Sequence, residues 1–454
     1  MARKIFRVIT TWLIACVATF ALAQPAWAFC GFYVAKADTD LYNQASQVII
    51  ARDGDRTVLT MANDYQGEVE DFAMVVPVPV VLKEEQVSVS EPKIIERLDT
   101  FSAPRLVEYF DSDPCAIYPD DFAAPTSGAR QLNESPGRGR SQSLGVTVES
   151  KFTVGEYDIV ILSAKESDGL ETWLQENNYK IPDGASTLLQ PYIRQNLKFF
   201  VAKVNLEEFE KSEFQSLRPL MMAYESPRFM LPIRLGTMNA KGPQDLIVYL
   251  LSPKGQAELT NYRMVKIPSN VELPEFVEEE FGDFYKSMFQ TSYERERKKV
   301  AFLEYAWDMA WCDPCAANPL TPEELRQAGV FWLNQGGNPN LRGPAQNVFI
   351  TRLHVRYTRD KFPEDLRFEE TGNRENFQGR YVIRHPFTGK MDCPQANEYK
   401  RALAQRQEQE VQTLAKLTRW DIADVRKKAD IKVNNPNPWW QNVFPRGRGR
   451  RGTR

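Results

Sequence analysis

Apolar positions along the chain fall into two kinds of pattern. The first is strand-like and occurs twice. Residues 59–77 read LTMANDYQGEVEDFAMVVP, and residues 220–232 read LMMAYESPRFMLP. Both begin Leu-x-Met-Ala-x-acid, turn, resume at a phenylalanine (Phe72, Phe229) and close on a proline and a branched residue (Pro77-Val78, Pro232-Ile233). Each is followed by another strand-like run ending in Ser and Pro-Lys, at 87–93 and 248–254. The pattern reads either as two copies of one β-unit or as chance likeness, since short apolar runs resemble one another. Asp53-Gly54-Asp55 between two apolar runs is a hairpin signal. Residues 72–81 are almost continuously apolar, as expected of a strand buried on both faces. Pro77 and Pro79 remove two ladder donors, which places that strand's far end at an edge. Residues 144–164, 197–204 and 246–251 also read as strands.

The second pattern is helical. Residues 93–110 are partly helical up to Pro104. Leu170, Trp173 and Leu174 predict a short helix at 168–179, and 185–196 predicts another. In 275–311, Val277, Phe281, Phe284 and Met288, then Val300, Leu303, Trp307 and Ala310, recur at three- to four-residue spacing, which predicts a long helix ending at Pro314, straight or kinked at the polar ERERKK stretch. The Gln-rich stretch 396–428, with Tyr399, Leu403, Val411, Leu414 and Val425, predicts a second. Residues 348–359 alternate. Phe349, Thr351, Leu353, Val355 and Tyr357 share one face, and Arg352, His354 and Arg356 share the other. Residues 377–385 are the expected partner strand.

These elements predict an α+β protein. Two β-rich units, related by the repeat if it is one, span 29–118 and 144–270, the second with packed helices. A flexible Pro/Gly/Ser/Arg-rich linker at 119–143 joins them. An α/β C-terminal region with long amphipathic helices spans 271–433 and contains a Cys-x-x-Cys motif. A disordered Arg-rich tail covers 434–454.

The N-terminus changes the chemical picture. Arg3, Lys4 and Arg7 precede a 16-residue apolar run, 8–23, and Ala26-Trp27-Ala28 supplies small residues for cleavage after Ala28. The rival reading is an uncleaved anchor, but a span needs about 20 apolar residues. Phe29 just before Cys30 argues against a lipoprotein. The expected location is periplasmic or extracellular, with no mature transmembrane helix. Residues 29–454 then carry 54 basic and 60 acidic residues, a net charge of −6, which argues against nucleic acid as a partner.

Export makes disulfides the simplest reading of Cys30, Cys115, Cys312, Cys315 and Cys393, with one thiol left over and the pairing open. Trp311-Cys312-Asp313-Pro314-Cys315 imitates a redox motif, which needs its first cysteine at a helix N-terminus after a strand. On this pattern the pair ends a long helix instead, where the dipole disfavours thiolate. A structural disulfide is therefore preferred to a thiol–disulfide enzyme. Cys312, Cys315, His385 and Cys393 offer zinc ligands, but His-x7-Cys is not a standard half-site. Arg352, His354 and Arg356, with Arg380 and Arg384 on a neighbouring strand, offer an anion-binding strip, or simply a solvated strand face. Asp38/Asp40 and Asp111/Asp113 do not match a calcium loop. No nucleophile elbow, zincin motif or phosphate-binding loop is present. No cofactor is expected. Arg446, Arg448, Arg450, Arg451 and Arg454, behind Trp439-Trp440, suit a membrane surface, an anionic polysaccharide or an acidic envelope protein.

CGFYV at 30–34, the run DFAMVVPVP, APRLVEYFDSDPC at 103–115, DGLETWLQENNYKIP, RFMLPIRLG and WCDPC together resemble the bacterial family called domain of unknown function 2330. The resemblance runs from Cys30 to about Cys393. It implies an exported bacterial protein without established activity, and it supplies no catalytic residues. The expected function is a non-catalytic envelope binding or scaffolding protein. The alternatives are a thiol–disulfide or zinc-dependent enzyme centred on Cys312 and Cys315, and an anion-binding module using the basic strand face.

Overall fold

The computed structural model describes residues 32–33, 42–43, 45–62, 65–66, 73–116, 147–164, 167–176, 185–211, 217–238, 242–311, 313, 318–333 and 347–430. The chain forms an α+β protein of two compact units. The larger comprises 1–105, 122–270 and 292–380, the smaller 106–121, 271–291 and 381–454. The segments expected to be a signal, a linker and an Arg-rich tail, and Cys30, Cys312 and Cys315, lie outside the described residues.

The larger unit is layered. Its main sheet runs Arg263–Lys266, Val300–Asp308, Phe349–Tyr357, Gln244–Ser252, Ala45–Asp53, Arg56–Ala62, Leu220–Glu225 and Val87–Val89, with Phe377–Gln378 also on the 300–308 strand. Strands 244–252 and 45–53 pair in parallel, as do 263–266 and 300–308. The beginnings of the two similar stretches are direct neighbours, with Met222 opposite Leu59 and Leu220 opposite Met61. A second sheet runs Phe32–Tyr33, Ala73–Val78, Lys198–Val204, Tyr157–Ser163 and Thr147–Val154.

The two-residue period of a strand sorts side chains between the layers. Val48, Ile50, Leu59 and Met61 meet Met74, Val76, Ile159 and Phe200 in the core between the sheets. On the outer face of the main sheet, Ile49, Ala51 and Tyr249 pack with Ile94, Leu98 and Phe101 of helix Pro92–Ser102. On the outer face of the second sheet, Val75, Phe199 and Val201 pack with Leu170, Leu174, Leu189 and Tyr192 from helices Ser167–Glu176 and Ala185–Arg194. Strand 73–78 is thus covered on both sides, which is why it reads as a continuous apolar run. Pro77 lies at its end, where among the described residues only strand 198–204 pairs with it.

The smaller unit gathers three separate segments. Val271–Leu273, Arg380–His385 and Arg105–Phe110 make a three-stranded sheet. Phe284 meets Tyr381 edge-on at 4.9 Å. Val411 and Leu414 of helix Gln395–Thr418 are buried, as are Val277 and Ile383.

The long helix expected over 275–311 does not form. A helical turn, Glu275–Glu278, is followed by helix Phe281–Arg295, and then the chain switches to strand. Arg297 and Lys298 have φ of 58° and 63°, a left-handed pair that ends the helix. VAFLEYA, 300–306, is buried all along and paired on both edges, so its apolar positions fit a helix period by accident. Likewise the helix expected over 396–428 stops at Arg419, φ 62°. Asp421 then caps a new helix, Ile422–Lys428, accepting from the Ala423 and Asp424 amides. Strand 380–385 pairs with 271–273 and 105–110, and the partners of 349–357 are 244–252 and 300–308.

Candidate functional site

Arg352, His354 and Arg356 do share one face of strand 349–357, and the two neighbouring strands answer them. Between Leu303 and Tyr305 the register with strand 349–357 slips, leaving Glu304 as an extra residue. A bulge re-aims a side chain. Here it presents the Glu304 carboxylate to Arg352 Nε at 2.7 Å and to His354 Nδ1 at 2.8 Å. On the other side Asp245 lies opposite Arg356 and receives both its Nε and Nη2 at 2.7 Å, while its Oδ1 is 3.1 Å from His354 Nε2. Arg352 Nη1 reaches Asp99 at 2.6 Å, and the Tyr249 hydroxyl donates to the same oxygen at 2.9 Å.

Glu304 is 1% exposed, so the arrangement is judged by charge balance in a poorly solvated place. His354 has a carboxylate on each ring nitrogen, and only the imidazolium donates at both. Burial pulls the imidazolium down, but Glu304 and Asp245 outweigh it and lift its pKa above the ordinary value. Burial raises Asp245, but His354 and Arg356 outweigh it and hold it at about 2. Arg352, His354⁺ and Arg356 then face Glu304, Asp245 and Asp99 charge for charge. The strip's cations are matched from within the chain. Arg380 and Arg384 do not extend it, because strand 380–385 belongs to another sheet.

Cys115 and Cys393 form a disulfide with Cα atoms 5.6 Å apart. That bond leaves Cys393 no thiolate for a zinc ion. The residues before Cys312 are a strand and a turn, not a helix end, so the dipole argument against a reactive Cys312 does not apply. Asp313 is buried and accepts from Tyr305 and Gln378. Asp111 accepts from Tyr399 at 2.7 Å and from Arg406 at 3.0 Å, and Asp113 accepts the Cys115 amide, so both are engaged. Asp38 and Asp40 lie outside the described residues.

A second polar cluster lies in the smaller unit and lines a cavity of about 330 Å³. Strand 380–385 contributes Arg384, the 275–278 turn Glu275, helix 395–418 Arg406 and Glu410, and helix 422–428 Lys428. Glu410 is 6% exposed, with Arg406 Nε 3.3 Å away. Burial pushes its carboxyl up to about 7, with Arg406 opposing and Glu272 and Glu275 adding to the rise. Arg384 is paired with Glu272, and Lys428 with Glu280. A concave wall with convergent polar groups and one carboxyl poised near neutrality has the usual character of a ligand site.

The family model described as an uncharacterized protein conserved in bacteria, domain of unknown function 2330, matches residues 24–369. The chain belongs to this family. No curated protein and no solved structure matches it. In this DUF2330 protein the match ends short of the Cys393 expected from the motifs. The buried ion network, from Asp99 to Arg356, lies within the matched residues, and Arg384, Arg406, Glu410 and Lys428 lie beyond them.

Glu304 escaped sequence reasoning because its run fits a helix. Asp245 shows no motif at all. Glu410 left one signal: it lies on the same stripe as Leu403, Leu414 and Leu417, at seven- and four-residue spacing, where an unpaired acid would be out of place.

Proposed function

We propose that this bacterial DUF2330 protein is an exported, non-catalytic binding protein of the cell envelope whose ligand site is the cavity around Glu410. Export is supported by the charged, apolar and small-residue segments of 1–28. The Cys115–Cys393 bond supports an oxidising compartment. The observation that carries the binding role is the cavity wall itself. Arg384, Arg406 and Lys428 face Glu275, Glu410 and Asp430 there. With Glu410 protonated, the lining residues present three cations and two carboxylates, and an incoming anion competes for those cations with Glu272, Glu280 and Asp111 behind the wall. The fitting ligand is a small, hydroxyl-rich monoanion, such as an acid-sugar unit of an envelope polysaccharide.

Anion uptake is then coupled to a proton on Glu410. Titration calorimetry with glucuronate tests this. Affinity should fall about tenfold from pH 6 to pH 8, as the protonated fraction of a group titrating near 7 does. Glu410→Gln should bind with no such pH dependence, and Arg384→Ala should bind weakly at both pH values. Wild-type binding that is flat with pH, or absent at pH 6, would defeat the reading.

A second reading is favoured by the strand that leads into Trp311 and Cys312, the approach a redox Cys-x-x-Cys requires. Rapid alkylation of Cys312 at pH 6 in the otherwise oxidised protein would support it, and an inert Cys312–Cys315 disulfide would remove it.

A further inference from the structure

His385, the second of the chain's two histidines, is not part of the buried network. It ends strand 380–385 in the smaller unit, beside Glu108 of strand 105–110 and the helical turn 275–278. One ligand atom each from Glu108, Glu278 and His385 lie within 4.8 Å of one another. The imidazole is held in place: the Phe110 ring stacks on it at 4.6 Å with planes 19° apart. Nε2 faces Glu108 Oε2 at 3.1 Å, and Nδ1 faces Glu275 Oε2 at 3.8 Å. The turn explains the second carboxylate. In a 3₁₀ turn residues i and i+3 eclipse, so Glu275 and Glu278 project from one side of the turn toward the same histidine.

We infer that Glu108, Glu278 and His385 bind a divalent transition-metal ion, with Glu275 as the outer carboxylate that orients the imidazole. One imidazole nitrogen and two carboxylate oxygens suit zinc and its first-row neighbours better than calcium or magnesium, which take oxygen alone. Three protein ligands leave a position open to water. An ion on Nε2 leaves Nδ1–H turned toward Glu275, which closes from 3.8 Å to hydrogen-bond distance to complete the carboxylate–histidine–metal arrangement that fixes the ring. The two ligating carboxylates balance a dication. Glu108 and Glu278 are exposed, so the ion enters from solvent without opening a core. This site shares no ligand with Cys312 and Cys315, and it replaces the Cys393-containing set that the disulfide rules out.

The test is cobalt(II) titration of the full chain, stripped with chelator, followed by optical absorption. One equivalent should bind, with a d–d spectrum and no thiolate-to-cobalt charge-transfer band. Glu278→Gln, an exposed change that leaves the fold intact, should weaken binding at least tenfold, and His385→Ala should abolish it. Zinc should displace the cobalt. No saturable binding, a thiolate band, or affinity unchanged in Glu278→Gln would each overturn the assignment.

Discussion

Glu304→Gln should be among the most damaging conservative substitutions in the chain. The carboxylate is 1% exposed and binds Arg352 and His354 at 2.7 and 2.8 Å. An amide of the same shape keeps one acceptor oxygen but removes the negative charge, leaving the buried Arg352 and the partly buried His354 and Arg356 facing two carboxylates. Removing one member of a buried ion pair costs about 3–5 kcal/mol, because the partner is left charged and unsolvated. Part of that cost is relieved if His354 gives up its proton, so the pKa of His354 should fall. The sign can be worked through. His354 has a raised folded-state pKa, so its contribution is full below the unfolded value of about 6.5 and is lost as pH rises through the folded value. In the variant that loss should begin at lower pH. Urea unfolding gives the stability. Imidazole NMR gives the titration with little overlap, since the chain has only two histidines. A stability loss under about 1 kcal/mol, together with an unmoved His354 titration, would refute the charge-balance argument.

Three further outcomes follow from the geometry. Glu410 is raised from 4.5 to about 7, so the smaller unit should lose about 3 kcal/mol between pH 4 and pH 8, and Glu410→Gln should not; amide hydrogen exchange of helices 395–418 and 422–428 reads this unit. Replacing Cys115 and Cys393 by serine opens a loop of 278 residues, and the exchange-derived stability of the same helices should fall by up to about 5–6 kcal/mol in the chain-entropy limit. Gly329 follows helix Pro322–Gln327 at φ 92°, where an added Cβ would lie 2.6 Å from Val58 Cγ1, so Gly329→Ala should cost about 1–3 kcal/mol in urea unfolding of the larger unit.

Much of the α+β reading was legible because it rests on local pattern. The hairpin at Gly54, the doubly buried run at 73–78 and the amphipathic helices at 167–176 and 185–194 carry their own signals. Residues 300–306 did not, because a strand buried on both faces has no alternation to read, and its apolar positions can satisfy a helical spacing. The alternation around Arg352 gave the correct face but not its environment. What neutralises that face comes from Glu304, Asp245 and Asp99, residues 48 to 253 positions away in sequence. The cavity was hidden for a related reason. It draws on a strand, a turn and two helices that only the folded smaller unit brings together.

The Cys115–Cys393 bond has a consequence in time as well as in energy. On the proposed export, N-terminus first, Cys115 is delivered while most of the polypeptide is still to come. Its partner arrives 278 residues later, after every described segment of the larger unit. Helix 395–418, which carries Arg406 and Glu410, follows it. The smaller unit is therefore the last part of the protein to close, and a chain cut before Cys393 can form neither the ring nor the cavity. The oxidation state of this cystine is then a covalent record that the chain has been delivered at least as far as residue 393.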